Sequence, residues 1–114
     1  MAKYMINICY GDLEKRKKAS LSNDDQFVMS KYREWSEKIA AKTIVAHKLK
    51  DGDGRKVEFA DGRTKDGPYV ETKETIGGFY IIEVSSYSEA VETAKECPTL
   101  LYQGGYVEVR EVEF

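Results

Sequence analysis

The sequence predicts an α+β domain: one antiparallel sheet with two helices packed against a single face. Three observations predict it. Residues 3–10 and 79–84 read as apolar strands, and two segments near residues 23–39 and 86–97 carry helical apolar stripes. The elements also follow the order strand, helix, two or three strands, strand, helix, strand.

Residues 3–10 alternate cleanly, with Tyr4, Ile6, Ile8 and Tyr10 on one face and Met5, Asn7 and Cys9 on the other. That period of two is a strand, and Gly11-Asp12 ends it. After a polar stretch the first helix begins near Ser22 or Asn23. Asp24 and Asp25 fall in its first turn, where negative charge suits the helix dipole. Val28, Tyr32, Trp35 and Ile39 follow at spacings of four, three and four and form one apolar stripe. Glu34 and Lys38 stand in an i,i+4 relation on the outer side, where they can pair.

Residues 43–49 read as a second strand and residues 51–54 as the turn after it. Residues 55–60 make a third short strand, closed by Asp61-Gly62, a favoured hairpin dipeptide, and residues 63–65 return along it. Asp66-Gly67-Pro68-Tyr69 breaks the pattern, because proline lacks an N–H and restricts the residue before it. Gly77-Gly78 reads as the entry to a strand over residues 79–84, apolar on both faces except at Glu83 and therefore central. Ser86 and Glu89 have the spacing of a capping box. Ala90, Val91, Ala94 and Cys97 form the inner face of that second helix, and Pro98 stops it. Gly104-Gly105 leads into a last strand over residues 106–112, whose apolar phase slips between Val109 and Val112. The slip predicts a bulge or a strand end at Arg110-Glu111.

This order is the ferredoxin-like, split βαβ arrangement with an inserted β-hairpin, and residues 1–114 are expected to form one domain. Helices on one face leave the other face of the sheet bare. A half-apolar sheet needs a cover, and a second copy of the chain supplies it, so a homodimer is expected.

Composition narrows the function classes. Hydrophobic residues make up 41% and charged residues 33%, and eighteen basic side chains against twenty acidic ones leave a net charge of −2. No basic face emerges for nucleic acid, and the run Lys15-Arg16-Lys17-Lys18 reads as a solvated loop or helix end. The N-terminus lacks the apolar region of a signal peptide, and no apolar run approaches the roughly 20 residues that span a bilayer. Cys9 and Cys97 form no metal-ligand cluster and are expected to be reduced, with the chain cytoplasmic and without metal or cofactor.

Few motifs carry chemistry. Asp51-Gly52-Asp53-Gly54 fails as a calcium loop, because the first and last ligand positions would be Leu49 and Ala60. The paired glycines form neither GxGxxG nor a P-loop. His47, the only histidine, shares the face of Val45 and Leu49; it is a candidate general base or a packed dimer contact. The densest polar cluster is residues 66–74. There Asp66 and Glu71 are candidate acid or base, and Lys73, Tyr69 and the nearby Tyr80 are candidate ligand-binding groups. A solvated connection fixed by Gly67-Pro68 explains the same residues without chemistry.

The run DGPYVETKETIGGFYIIEV closely resembles the signature of the YCII-related family, in particular its DGPF branch, with Tyr69 where that branch usually has phenylalanine. The resemblance extends to KYMINICYGD, to the helix of Tyr32, to SEAVETAKECP and to GGYVEVREVE, nearly the whole chain. It implies a ferredoxin-like subunit of a dimeric α/β barrel, with a function that is uncharacterised. Many members carry a histidine and aspartate pair, with the histidine on the first helix close to Tyr32; this sequence has no histidine there. Some relatives of the DGPF branch are associated with sigma-factor-like proteins, which suggests a link to transcription initiation. Three readings follow. One is a small-molecule enzyme of lyase or isomerase type, transferring protons in a cleft near residues 66–74. Another is a non-catalytic, metabolite-binding or regulatory homodimer, and the third is a structural dimer without a ligand.

Overall fold

The computed structural model describes residues 1–10, 24–50, 54–68, 75–101 and 104–113. Its elements are β1 (Ala2–Tyr10), α1 (Asp24–Lys38), β2 (Thr43–Lys48), β3 (Arg55–Ala60), β4 (Arg63–Pro68), β5 (Thr75–Val84), α2 (Tyr87–Lys95) and β6 (Tyr106–Glu111). Short 3-10 turns occupy Ala40–Lys42 and Pro98–Leu101. Strands β2, β5, β1 and β6 form one sheet in that order, with every neighbouring pair antiparallel, while β3 and β4 form a separate two-stranded sheet. This is the expected ferredoxin-like order with the hairpin inserted. The Lys15–Lys18 run and the turn at residues 51–53 lie outside the described residues.

Register divides the sheet into two faces. Tyr4, Ile6 and Ile8 of β1 and Ile82 and Val84 of β5 pack with Trp35, Ile39, Ala90, Ala94 and Cys97 into one buried core. Trp35 and Ile39 of the α1 stripe therefore enter this core, with Tyr32 packed against it. On the other face two cross-strand rows stand out. Val45, Ile81, Met5 and Arg110 form one, and His47, Phe79, Asn7 and Glu108 the other. No described helix covers these rows, and their apolar members are only half-buried.

Several local expectations hold for the expected reason. Asp61 and Gly62 both take positive φ, at 54° and 76°, the conformation that a two-residue hairpin turn requires. Ser86 caps α2, its hydroxyl accepting from the Glu89 N–H at 3.2 Å. The Glu89 carboxylate accepts from the Ser85 hydroxyl and, at 3.0 Å, from the Ser85 N–H, and these bonds hold its carboxyl below the ordinary range. The apolar slip after Val109 marks a strand end, since β6 stops at Glu111.

Other expectations are corrected. Glu34 pairs with Lys31 at 3.7 Å rather than with Lys38. Lys38 instead reaches Glu96 at 2.7 Å, joining the end of α1 to the end of α2, a tertiary partner that helix spacing does not show. β4 continues through Asp66 and Gly67 to Pro68, three residues beyond the expected return, because a two-stranded hairpin is all edge and tolerates a missing donor at its end. Gly77-Gly78 lies inside β5, not before it. Ile8 pairs with Gly78 but Cys9 with Ile76, so Gly77 is the extra residue of a bulge. At Gly78 the backbones of β2 and β5 close up, and a Cβ would stand 2.9 Å from the His47 carbonyl oxygen.

Tyr4 supplies a pH-dependent prediction. It is buried, edge-on to Tyr87 with ring centroids 4.7 Å apart, and in register with Glu111. Burial, followed by the Glu111 charge and its hydrogen bond, pushes the Tyr4 phenol above its ordinary range. A raised phenol keeps its proton after the unfolded chain has lost it, so the unfolded state binds fewer protons above about pH 10. Stability is therefore intact below about pH 10 and is lost as pH rises towards the folded-state value. Urea unfolding between pH 8 and pH 11 is expected to show this decline, and Tyr4→Phe to flatten it. An equal decline in the variant would remove Tyr4 as its cause.

Candidate functional site

The sheet separates the two candidate residues whose side chains are described. His47 is in register with Phe79 and lies exposed on the face without helices, its ring 5.8 Å from the Phe79 ring. Tyr80, one residue further along β5, is in register with Ala46 and Ile6 and faces the helices. Successive residues of a strand point to opposite faces, so His47 and Tyr80 do not share one site within a chain. Asp66 is a position on β4 in register with Val57 of the hairpin. Tyr69, Glu71 and Lys73 lie outside the described residues.

Around Tyr80 the helix and sheet bring together a polar and aromatic cluster. Its phenol oxygen is 2.5 Å from the Ser36 hydroxyl of α1, a bond in which either group donates. Its ring meets Trp35 edge-on, with centroids 4.7 Å apart. Trp35 is fixed in turn, because its indole N–H donates to the Thr93 carbonyl of α2 at 3.1 Å. Tyr32, one turn before Ser36, is half-buried against the same core. The spacing explains the convergence: Tyr32 and Ser36, and Trp35 and Ile39, each fall four residues apart on adjoining rows of the helix, so one side of α1 sits above β5.

Ser36 was not among the sequence candidates. The available signal was its i,i+4 relation to Tyr32 beside the apolar stripe, but its partner is known only from sheet register. Chemically, the pair offers two hydroxyls that can turn a proton or a lone pair towards a ligand oxygen, above a braced aromatic wall. Among the described residues no three His, Cys, Asp or Glu side chains gather to hold a metal. Cys9 and Cys97 are both buried, Cys97 in the core itself. No described helix is long and apolar enough to cross a membrane.

An antiparallel ferredoxin-like sheet with an inserted hairpin and a helix–sheet polar cluster defines a class of small α+β domains. Within it, the YCII-related domain matches residues 8–114, and the chain belongs to that family. An uncharacterized protein of Rhizobium meliloti (strain 1021) is 42% identical over 45 residues, 40% of this chain and 36% of the relative, so the match spans about a third of that protein's length. A solved structure with the same fold is 5-chloro-2-hydroxyhydroquinone dehydrochlorinase, TftG, from Burkholderia phenoliruptrix AC1100, in complex with 2,5-dihydroxybenzoquinone. Its TM-score is 0.50 at 20% identity, over 93% of this chain and 90% of that one.

Proposed function

We propose that the chain is a small-molecule enzyme of the proton-transfer kind, a lyase or isomerase, working as a cytoplasmic homodimer. The observation that carries this reading is the Ser36–Tyr80 hydroxyl pair, braced by Trp35 at the junction of helix and sheet. Tyr80 stands on the strand that the polar segment 66–74 enters, so that segment is well placed in sequence to supply the reacting groups. Asp66 or Glu71 acts as acid or base, Lys73 steadies negative charge, and Tyr69 joins Tyr80 and Ser36 in holding the ligand. His47, on the opposite face, belongs to the contact between subunits. The two open rows of the sheet meet the same rows of a second copy across a two-fold axis. The solved dehydrochlorinase of the same fold, named as an enzyme acting on a small hydroxylated ring, is in keeping with this reading.

A specific observation favours a second reading, that of a binding protein without catalysis. The groups that meet Tyr80 are the Ser36 hydroxyl and the Trp35 ring, which can hold a ligand without moving a proton.

One experiment separates the two. Small molecules that co-purify with the protein are identified by mass spectrometry, returned to the protein in D2O, and followed by proton NMR. An enzyme of this kind exchanges a carbon-bound hydrogen of its ligand for deuterium. Asp66→Asn or Glu71→Gln is expected to slow that exchange by about 10²- to 10⁴-fold while ligand still binds. Tyr80→Phe is expected to weaken binding about tenfold, the effect of one lost hydrogen bond. Binding without exchange in the unmodified protein would leave the second reading in place. Unchanged binding by Tyr80→Phe would remove this cluster from both.

A further inference from the structure

We infer that the β3–β4 hairpin is a dimer arm that lays its apolar face on a second copy of this chain. The inference rests on the homodimer proposed above and adds the surface that completes it.

The hairpin has two unlike faces. Val57 and Phe59 lie on one of them, with Arg55, Thr64 and the Asp66 position in the same register set, and are 67% and 75% exposed, unusually open for side chains of their size; of the two carboxylates proposed for the Tyr80 site, a seated arm leaves Glu71. The other face carries charge: Lys56 and Glu58 pair at 3.3 Å, and Glu58 is in register with Lys65, whose ammonium reaches Asp61 at 2.9 Å. Among the described residues, β3 and β4 make their substantial contacts with each other alone. A lone two-stranded hairpin is marginal in water, and one with such a pattern needs a layer against its apolar side. Its own sheet does not provide that layer.

Position and area identify the occupant. The hairpin is inserted between β2 and β5, and the ladder of these strands runs on to a bond from the Leu49 N–H to the Gly77 carbonyl at 2.9 Å. His47 and Phe79 of the open face lie just inside that end, so the arm springs from the rim of the face that a partner is proposed to cover. Four strands at about 4.8 Å spacing and six to ten residues in length give that face a footprint on the order of 20 by 25 Å. Its apolar centre is only Met5, Val45, Phe79 and Ile81. At about 500 Å² this footprint falls short of the roughly 800 Å² per partner that a stable dimer buries. A six-residue hairpin adds about 20 Å of length, and two-fold symmetry counts it twice, once given and once received.

Sedimentation velocity over a dilution series, beside hydrogen exchange of the hairpin amides, tests the arm. The unmodified protein is expected to be a dimer whose β3 and β4 amides lose protection as it dissociates. Val57→Ser/Phe59→Asp is expected to raise the dimer dissociation constant at least 30-fold with the far-UV spectrum unchanged. Met5→Glu, in the sheet face, probes the dimer separately. If Met5→Glu dissociates the dimer and the hairpin variant does not, the arm is wrong and the dimer stands. A monomeric unmodified protein at tens of micromolar overturns both. Hairpin amides equally exchangeable in dimer and monomer also overturn the arm, without reliance on any variant.

Discussion

Gly105→Ala is expected to cost about 3 kcal/mol or more and to lower Tm by more than about 10 °C, because the new methyl group has nowhere to go. A Cβ on Gly105 would stand 2.0 Å from the Thr99 carbonyl oxygen and 2.9 Å from both the Thr99 carbonyl carbon and hydroxyl. Two of those three atoms are backbone, so no rotamer change relieves the clash. Thr99 cannot retreat either. It is fully buried, its hydroxyl donates to the Cys9 carbonyl of β1 at 3.4 Å, and the Leu100 N–H beside it is bonded to the Cys97 carbonyl at 3.0 Å. The turn Pro98–Leu101 is thus held between α2 and the sheet, and β6 enters by sliding past it at glycine distance.

Gly62→Ala is the informative control. Gly62 has a φ of 76° with no atom within 4 Å of an added Cβ, so its cost is conformational, about 1–2 kcal/mol. Urea unfolding of the two variants separates steric from conformational cost. A Gly105→Ala protein no less stable than Gly62→Ala would mean that β6 does not approach Thr99 this closely.

What the sequence made legible follows from how far each signal reaches. The alternation of residues 3–10, the stripe through Trp35 and Ile39, and Asp61-Gly62 are local patterns, and each corresponds to the element it implies. Gly77-Gly78 misled because a glycine pair marks a strand entry and a bulge alike; the choice is made by β2 and β1 packing against both sides of β5. Lys38 bonds to Glu96 because the ends of two helices meet, which neither helix encodes alone. Of the helix–sheet cluster, the sequence offers Tyr80 as a candidate, an aromatic near the polar segment, whereas Ser36 carries no signal of its own beside a core tryptophan. Its role depends on the strand order that sets β5 beneath α1. The opposed faces of His47 and Tyr80 also required register, since single residues on two different strands share a face only when their pairing is known.

Trp35→Ala joins core and site in one measurement, and its expected cost is about 3–5 kcal/mol. The ring is 96% buried, as its 4% relative exposure states, and its loss leaves a cavity between two helices and the sheet. The cost exceeds the volume alone because the Thr93 carbonyl loses its indole donor at a buried position. Thr93 is also the junction of α2, its hydroxyl donating to the Glu89 carbonyl at 2.9 Å and accepting from the Lys42 ammonium at 3.3 Å. Trp35→Phe keeps an aromatic ring against Tyr80 but removes the N–H, and is expected to lose less, about 1–3 kcal/mol. The two variants should differ in another respect. With phenylalanine the Tyr80 ring keeps an edge-on neighbour and the Ser36 bond survives, so ligand binding falls little. With alanine Tyr80 loses its brace, and binding should drop by more than tenfold even at temperatures where the protein remains folded. Calorimetric unfolding gives the first quantity and titration with the co-purified ligand the second. Equal binding by the two variants would show that Trp35 serves the core alone and that Tyr80 holds its position without it.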